Sequence, residues 1–445
     1  MRRRGASFRL VAALTLAAFA ASCASTRLPP ISATGSAFRP ERDEKRLWAD
    51  ARAEERKLRE KARVYDDPAL ADYLDGLVRR LNPPGMADNP EVSFRVTVLA
   101  DPTLNAFAYP HGALFVHTGL LARLENEDQL ATVLGHEMTH VENRHMLRHE
   151  RSTRNKQLVF AGAAIFAAVV LANEEGRAWE SGHYGRAASI SVLAQLMVGL
   201  GLQLAFVAAV NGYGRDLERD ADYGGLLKMR EAGYDTAQAP RVYELLKEDH
   251  GDSSRAEAFF FGSHPRLAER ISTAQAWNRE HPGAAAPAPA DAHSSFARRM
   301  RPVVRDDAKL NIEMGRLALA DDELKRVLAL APEDPQAQLL LGTLRLKQAE
   351  GTKDAEARTA LERDAVGAFE EALRLDPGSA EAHRQLGLFA FMHNQRPRAC
   401  VHLERFVALA PKADEAAKVR DYLIELRKDG DCAGGASPAP ATVNP

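Results

Sequence analysis

The run Gly135-His136-Glu137-Met138-Thr139-His140 constrains this chain more than any other stretch. It lies within "EDQLATVLGHEMTHVENRHMLRH", which starts after Asn126 and carries apolar Leu130, Val133 and Leu134 at helical spacing. Residues four apart on a helix project from one face, so His136 and His140 can aim imidazole nitrogens at one ion. Glu137 sits about 100° further round, an offset that suits a base beside activated water better than a ligand. Alone, the motif is suggestive only. A catalytic site of this kind needs a third protein ligand and a position left for water. Downstream, "RDLERDADYGG" offers Glu218 and Asp222, again four apart. Glu218 can bind the ion, and Asp222 can accept the N–H of a ligand imidazole and hold its tautomer. Without the first helix, the same two residues would read as a solvated charged face.

The remaining histidines at 117, 145 and 149 complete no second metal site, so they read as surface or capping residues. Arg270 reads either as a carboxylate's partner at the site's edge or as an exposed side chain.

Organisation follows from composition shifts. Residues 1–22 have a basic start, an apolar run from Leu10 to Ala21 and small residues, the pattern of an export signal. "AASC" resembles a bacterial lipobox, which would make Cys23 a lipidated N-terminus; an unlipidated periplasmic product is the alternative. A tether (23–40) precedes a first domain at 41–280, in which two charged helices broken at Asp66-Asp67-Pro68 lead to a small sheet over 93–117. Thr118 is the expected cap of the next helix. Two apolar stretches, 158–172 and 196–210, are fifteen residues each, short of a membrane span, and read as core helices or as surfaces that dip into a membrane. A Pro/Ala-rich linker is expected at 281–305 and a disordered tail at 431–445.

Residues 306–430 carry a period. Pro377 and Pro411 are 34 apart, the repeat length of tetratricopeptide helix pairs, and Pro332 precedes Pro377 by that length plus an eleven-residue insertion in "AEGTKDAEART". Small residues recur in step at Gly342 and Gly387, and at Ala320, Ala365 and Ala399. The fold expected is therefore α+β and mostly helical, with a small sheet in the first domain and an all-α repeat domain after it. Cys400 and Cys432, both beyond the signal, either pair in an oxidising compartment or stay as thiols. With 59 basic and 61 acidic residues spread along the chain, no basic face is available for nucleic acid.

"NAFAYPHGALFVHTGLL", "ATVLGHEMTHVENRH", "LERDADYGG" and "SHPRLAERI" occur in that order. In this the chain resembles the zinc peptidase family that includes HtpX and the type I CAAX prenyl endopeptidases. With the export signal and the repeats, it resembles that family's periplasmic BepA-like branch. The resemblance spans about residues 40–275 and implies a gluzincin-type domain, with one zinc ion on His136, His140 and Glu218 and with Glu137 as catalytic base. It places His264 near the metal, as an oxyanion stabiliser or as an occupant of the open position that holds the enzyme latent; the alternative is a helix-start histidine before Pro265. His111 stands where the family usually has glycine and is expected at the lip of the cleft rather than as a ligand.

Substrate is expected in extended form along Asn105, Ala106, Phe107 and Ala108, a mode that favours unfolded segments. The function implied is endoproteolysis of unfolded or misassembled envelope proteins, especially those of the outer membrane. The repeats would recruit clients or an assembly machine, and a lipid anchor or surface contact would hold the enzyme at the membrane. A chaperone or adaptor with latent proteolysis is the competing class. An intramembrane prenyl-protein peptidase would need spanning helices that the fifteen-residue stretches do not supply.

Overall fold

The computed structural model describes residues 28–87, 89–153, 200–206, 213–249, 267–282 and 292–432. The expected signal at 1–22, Cys23, the stretch 158–172, most of 196–210, His264 and the tail beyond Cys432 lie outside these residues. The chain divides into two compact units, residues 1–300 and 301–445.

In the first unit, helix α1 (Arg42–Lys61) stops before the expected break and α2 (Pro68–Leu81) starts on it. Asp67 caps α2 by accepting the Leu70 N–H at 3.0 Å, and Pro68 occupies the first turn, where no N–H is missed. Three strands follow, β1 (Arg95–Leu99), β2 (Ala106–Ala108) and β3 (Ala113–His117). Their order is β1-β3-β2, with β1 parallel and β2 antiparallel to β3. The β2–β3 turn depends on Gly112, whose φ is 103° and whose missing Cβ would sit 2.7 Å from the Ser93 carbonyl oxygen. The Asn105 carbonyl accepts from His117 N at 3.0 Å and Tyr109 N donates to Ala113 O at 2.8 Å. By the alternation of an antiparallel ladder, the backbone groups of Ala106 and Ala108 therefore face away from β3, along the sheet's edge.

Helix α3 (Thr118–Arg123) departs from expectation at its start. His117 holds the N-cap position without a side-chain cap bond, whereas the Thr118 hydroxyl donates to the Asp101 carbonyl at 3.0 Å. His117 is fully buried, its Nδ1 2.8 Å from Thr103 Oγ1, which corrects the surface reading. Its position at the inner end of a wholly buried strand leaves it no route to solvent.

Helix α4 (Glu127–Glu142) is capped by Asn126, which accepts the Gln129 N–H at 2.9 Å. It is followed by α5 (His145–Thr153), α6 (Arg215–Glu231), α7 (Ala239–Asp249) and α8 (Leu267–Glu280). Helices α4 and α6 cross at small residues: a Cβ on Gly225 would lie 3.0 Å from His136 N, and one on Gly224 would lie 2.4 Å from Thr139 Cγ2. This close approach brings the two polar motifs together.

Residues 292–305 are not linker. They open helix α9 (Ala292–Glu313), and the division between the units falls within it. Phe296, Met300, Val303 and Val304 recur at helical spacing and are all buried, so an apolar stripe outweighs the proline inside the helix. Six helices follow: α10 (Leu317–Leu330), α11 (Pro335–Gly351), α12 (Ala355–Leu375), α13 (Ala380–Met392), α14 (Arg396–Leu409) and α15 (Ala416–Lys428). Neighbours in sequence pack on one another. Pro332, Pro377 and Pro411 each stand two residues past a helix end. A Cβ on Gly342 would lie 2.5 Å from the Phe369 ring, and one on Gly387 would lie 2.5 Å from Leu403, which is why small residues recur there. The insertion lengthens α11 and α12 to 17 and 21 residues, against 13 and 14 in α13 and α14. Cys400 and Cys432 are disulfide-bonded.

Candidate metal centre

Helix α4 presents His136, Glu137 and His140 beneath the sheet, and α6 presents Glu218 against them. One donor atom each from His136, His140 and Glu218 lies within 4.8 Å of the others, and all three residues are buried. The two imidazoles face each other through Nε2, 3.0 Å apart, and Glu218 stands 3.4 Å from His136 Nε2 and 3.7 Å from His140 Nε2. Two imidazoles and one carboxylate converging in a buried corner form a donor set that fits a divalent ion. A second triad of metal-ligating residue types, Cys400, Glu404 and Cys432, is closed to metal by the disulfide.

Each imidazole has a partner behind it. His136 Nδ1 is 2.8 Å from Asp222 Oδ1, the arrangement expected from the sequence. Asp222 also accepts from Tyr243 OH at 2.9 Å and from Arg270, Nε to Oδ2 at 2.9 Å. Arg270 is therefore a buried partner of a site carboxylate, not an exposed side chain, and its guanidinium lies 4.2 Å over the Tyr243 ring. Burial opposes ionisation of Asp222, but the Arg270 charge and the His136 ring outweigh it and hold the carboxyl at about 2.

Behind His140 stands His145, fully buried, with its Nδ1 2.9 Å from His140 Nδ1 and its Nε2 3.0 Å from Asp220 Oδ2. This overturns the surface reading of His145. The reason is the turn between α4 and α5: Arg144 adopts φ 56° and swings the chain back, so that a residue five positions on returns to the same imidazole. Arg144 is pinned there by Glu44, at 2.8 Å from Nε and 2.6 Å from Nη2. His149, one turn along α5, is half-buried rather than surface-exposed, with its ring 6.2 Å from that of Tyr213. Tyr213 in turn stacks on His140 at 4.3 Å. Burial lowers the pKa of both His145 and His149, favouring neutral rings. Composition carries no signal for these partners; the sole hint is a histidine five residues after His140 and an aromatic, Tyr213, five residues before Glu218.

A cleft opens beside the cluster. His136, Glu137, Asn105 and Ala106 line it, and Leu120, Val133 and Val242 make its surface mainly apolar. Phe107 turns instead into the core, stacked 5.1 Å from Phe115, and Ala108 is buried away from the cleft wall. His111 stays clear of the cluster and binds Glu55, 2.8 Å from its Nε2.

The stretch that carries this cluster is similar to known proteins. The profile of peptidase family M48 matches residues 68–278. The chain is 29% identical to the beta-barrel assembly-enhancing protease of Escherichia coli over 221 residues, 49% of this chain and 41% of that protein. It is 31% identical to the mitochondrial metalloendopeptidase OMA1 of Schizosaccharomyces pombe over 244 residues, 53% of this chain and 60% of that protein. With the OMA1 of Arabidopsis thaliana it shares 32% over 174 residues, 39% of this chain and 29% of that protein. The chain thus spans less than half the length of the bacterial relatives it matches. Within it, residues 68–278 are the part that is similar to peptidase family M48.

Proposed function

We propose that this chain is a zinc-dependent endopeptidase of the bacterial cell envelope that hydrolyses peptide bonds of unfolded or misassembled proteins, those of the outer membrane above all. The observation that carries the reading is the buried His136–His140–Glu218 cluster with Glu137 on the same helix, inside the stretch that is similar to peptidase family M48. His136, His140 and Glu218 would hold the ion, which when bound supplies Lewis acidity toward a carbonyl and activation of water. Glu137 accepts the proton of the attacking water and returns it to the leaving amine. Asp222 keeps His136 oriented. The outward backbone groups of Ala106 and Ala108 pair with an extended substrate, and Asn105 closes that edge beside Glu137. Because such pairing reads backbone rather than sequence, it selects chains that are locally unfolded. His264 is proposed as an oxyanion stabiliser or latency ligand on the strength of the resemblance alone.

The envelope assignment draws on the export-signal pattern, the proposed lipidation of Cys23 and the bacterial relatives' name. Among the described residues no helix is long and apolar enough to cross a membrane. The helices of residues 306–430 are proposed to be tetratricopeptide repeats that recruit clients or dock on the assembly machinery.

Metal content and casein cleavage of the unaltered chain, Glu137→Gln and Glu218→Ala test the reading together. One equivalent of zinc in the first two, with cleavage by the first alone, is the expected result. Metal without cleavage in every form would favour the chaperone or adaptor class, and no metal in the unaltered chain would end the reading.

A further inference from the structure

We infer that His145, held by Asp220, is a positioning residue that sets the tautomer and aim of His140 at the metal cluster. The inference deepens the proposed zinc site and rests on it. For His140 to offer its Nε2 lone pair toward Glu218 and His136, its remaining hydrogen must sit on Nδ1. The Nδ1–H needs an acceptor, and the group 2.9 Å away is His145 Nδ1. That nitrogen accepts only when the His145 hydrogen is on Nε2, and Nε2 lies 3.0 Å from Asp220 Oδ2. Arg148 donates to the same oxygen at 3.1 Å and keeps the carboxylate charged and in place. Each group in the series admits one hydrogen placement once the next is set. The chain of donors therefore runs in one direction, from the ligand cluster outward to Asp220.

Ring geometry adds the second constraint. Tyr213 stacks on His140 with 28° between planes, and His145 meets His140 edge-on at 79°, so neither tilting nor flipping of the ligand ring is free. The two ligand histidines are thereby braced differently. His136 leans directly on a carboxylate, whereas His140 leans on a neutral imidazole that leans on one. Asp222 and Asp220 both come from α6, the helix that also supplies Glu218, so one helix orients both rings and contributes the third ligand.

The test is zinc affinity by competition with a chromophoric chelator, for the unaltered chain and three variants. His145→Asn places an oxygen near the position of the histidine Nδ1 and keeps the acceptor; His145→Leu fills the space and removes it. His145→Leu is expected to weaken zinc binding about 10- to 100-fold, the usual effect of losing a ligand's partner. His145→Asn should retain most of the affinity, and Asp220→Ala, a change at a partly exposed side chain, should fall between them. Cobalt absorption of the loaded variants gives a readout independent of activity, since a misaimed His140 changes the ligand field. If His145 matters for packing alone, His145→Leu binds as tightly as the unaltered chain while His145→Asn does not, and that result overturns the proposal. Equal affinity in all four proteins overturns it as well. Absence of zinc from the unaltered chain overturns the metal-site reading beneath it and the proposal with it.

Discussion

Arg270 grips Asp222 through two hydrogen bonds, Nε to Oδ2 at 2.9 Å and Nη2 to Oδ1 at 2.6 Å, and both side chains are buried. Removing the cation would leave a carboxylate enclosed with only His136 and Tyr243 to answer it. Arg270→Met is therefore expected to cost about 3–5 kcal/mol of stability, the range for breaking a buried pair. Arg270→Lys should cost less, because a point charge keeps the compensation but not the fork. Urea denaturation of the metal-free proteins measures both, and a cost below about 1 kcal/mol for Arg270→Met would contradict the pairing.

The crossing of α4 and α6 makes a second expectation. A methyl on Gly224 would lie 2.4 Å from Thr139 Cγ2, and Thr139 cannot rotate freely because its hydroxyl donates to Gly135 O at 2.7 Å. Gly224→Ala should destabilise by about 1–3 kcal/mol through overpacking. In a Thr139→Ser background, which lacks that methyl, the same change should cost less. A double-mutant cycle reads the coupling, and strict additivity would show that the helices do not press on each other there.

Glu55 supplies a pH dependence remote from the metal cluster. The hydrogen bond with His111, aided by Arg59 and opposed by burial, holds its carboxyl at about 2, below the ordinary 4.5. A carboxylate depressed in the folded state contributes stability that is fully present above its unfolded pKa and fades as pH falls through the folded one. Glu55→Gln should thus be less stable than the unaltered chain near neutrality, with the gap closing from about pH 4.5 toward about pH 2. Denaturation midpoints across that window decide it; a gap that does not change with pH would mean the pair contributes nothing through ionisation.

The disulfide joins residues 32 apart in sequence, tying α14 to the chain beyond α15. Closing a loop of that length stabilises the folded state by about 4 kcal/mol in the chain-entropy treatment. Cys400→Ser, or reduction, should lower the unfolding midpoint of the C-terminal helices. Monitoring by hydrogen exchange in α14 and α15 tests this locally, and unchanged protection there would contradict it.

Periodicity alone determines a good deal of this protein. Placing His136, Glu137 and His140 on one helix, and Glu218 and Asp222 on another, needs only the geometry of four-residue spacing, and the recurring glycines and alanines of residues 306–430 mark close helix contacts by their period. Those are local rules, in which a residue's neighbours in sequence carry the information. What the tertiary structure decides is who stands behind the ligands. His145 reads as a surface residue in the sequence because the positive φ of Arg144, which returns it to His140, depends on Glu44, a hundred positions away in sequence. Arg270 is equally compatible with exposure until α8 packs it on Asp222. His117, expected at the surface or as a cap, stands at the N-cap position of α3 but in the core, because every residue of β3 is buried. Residues 292–305 of the stretch expected as linker become the start of α9 because their apolar stripe is buried. In each case a side chain's role follows from desolvation by a distant segment, and spacing along one helix carries no record of which segment will arrive.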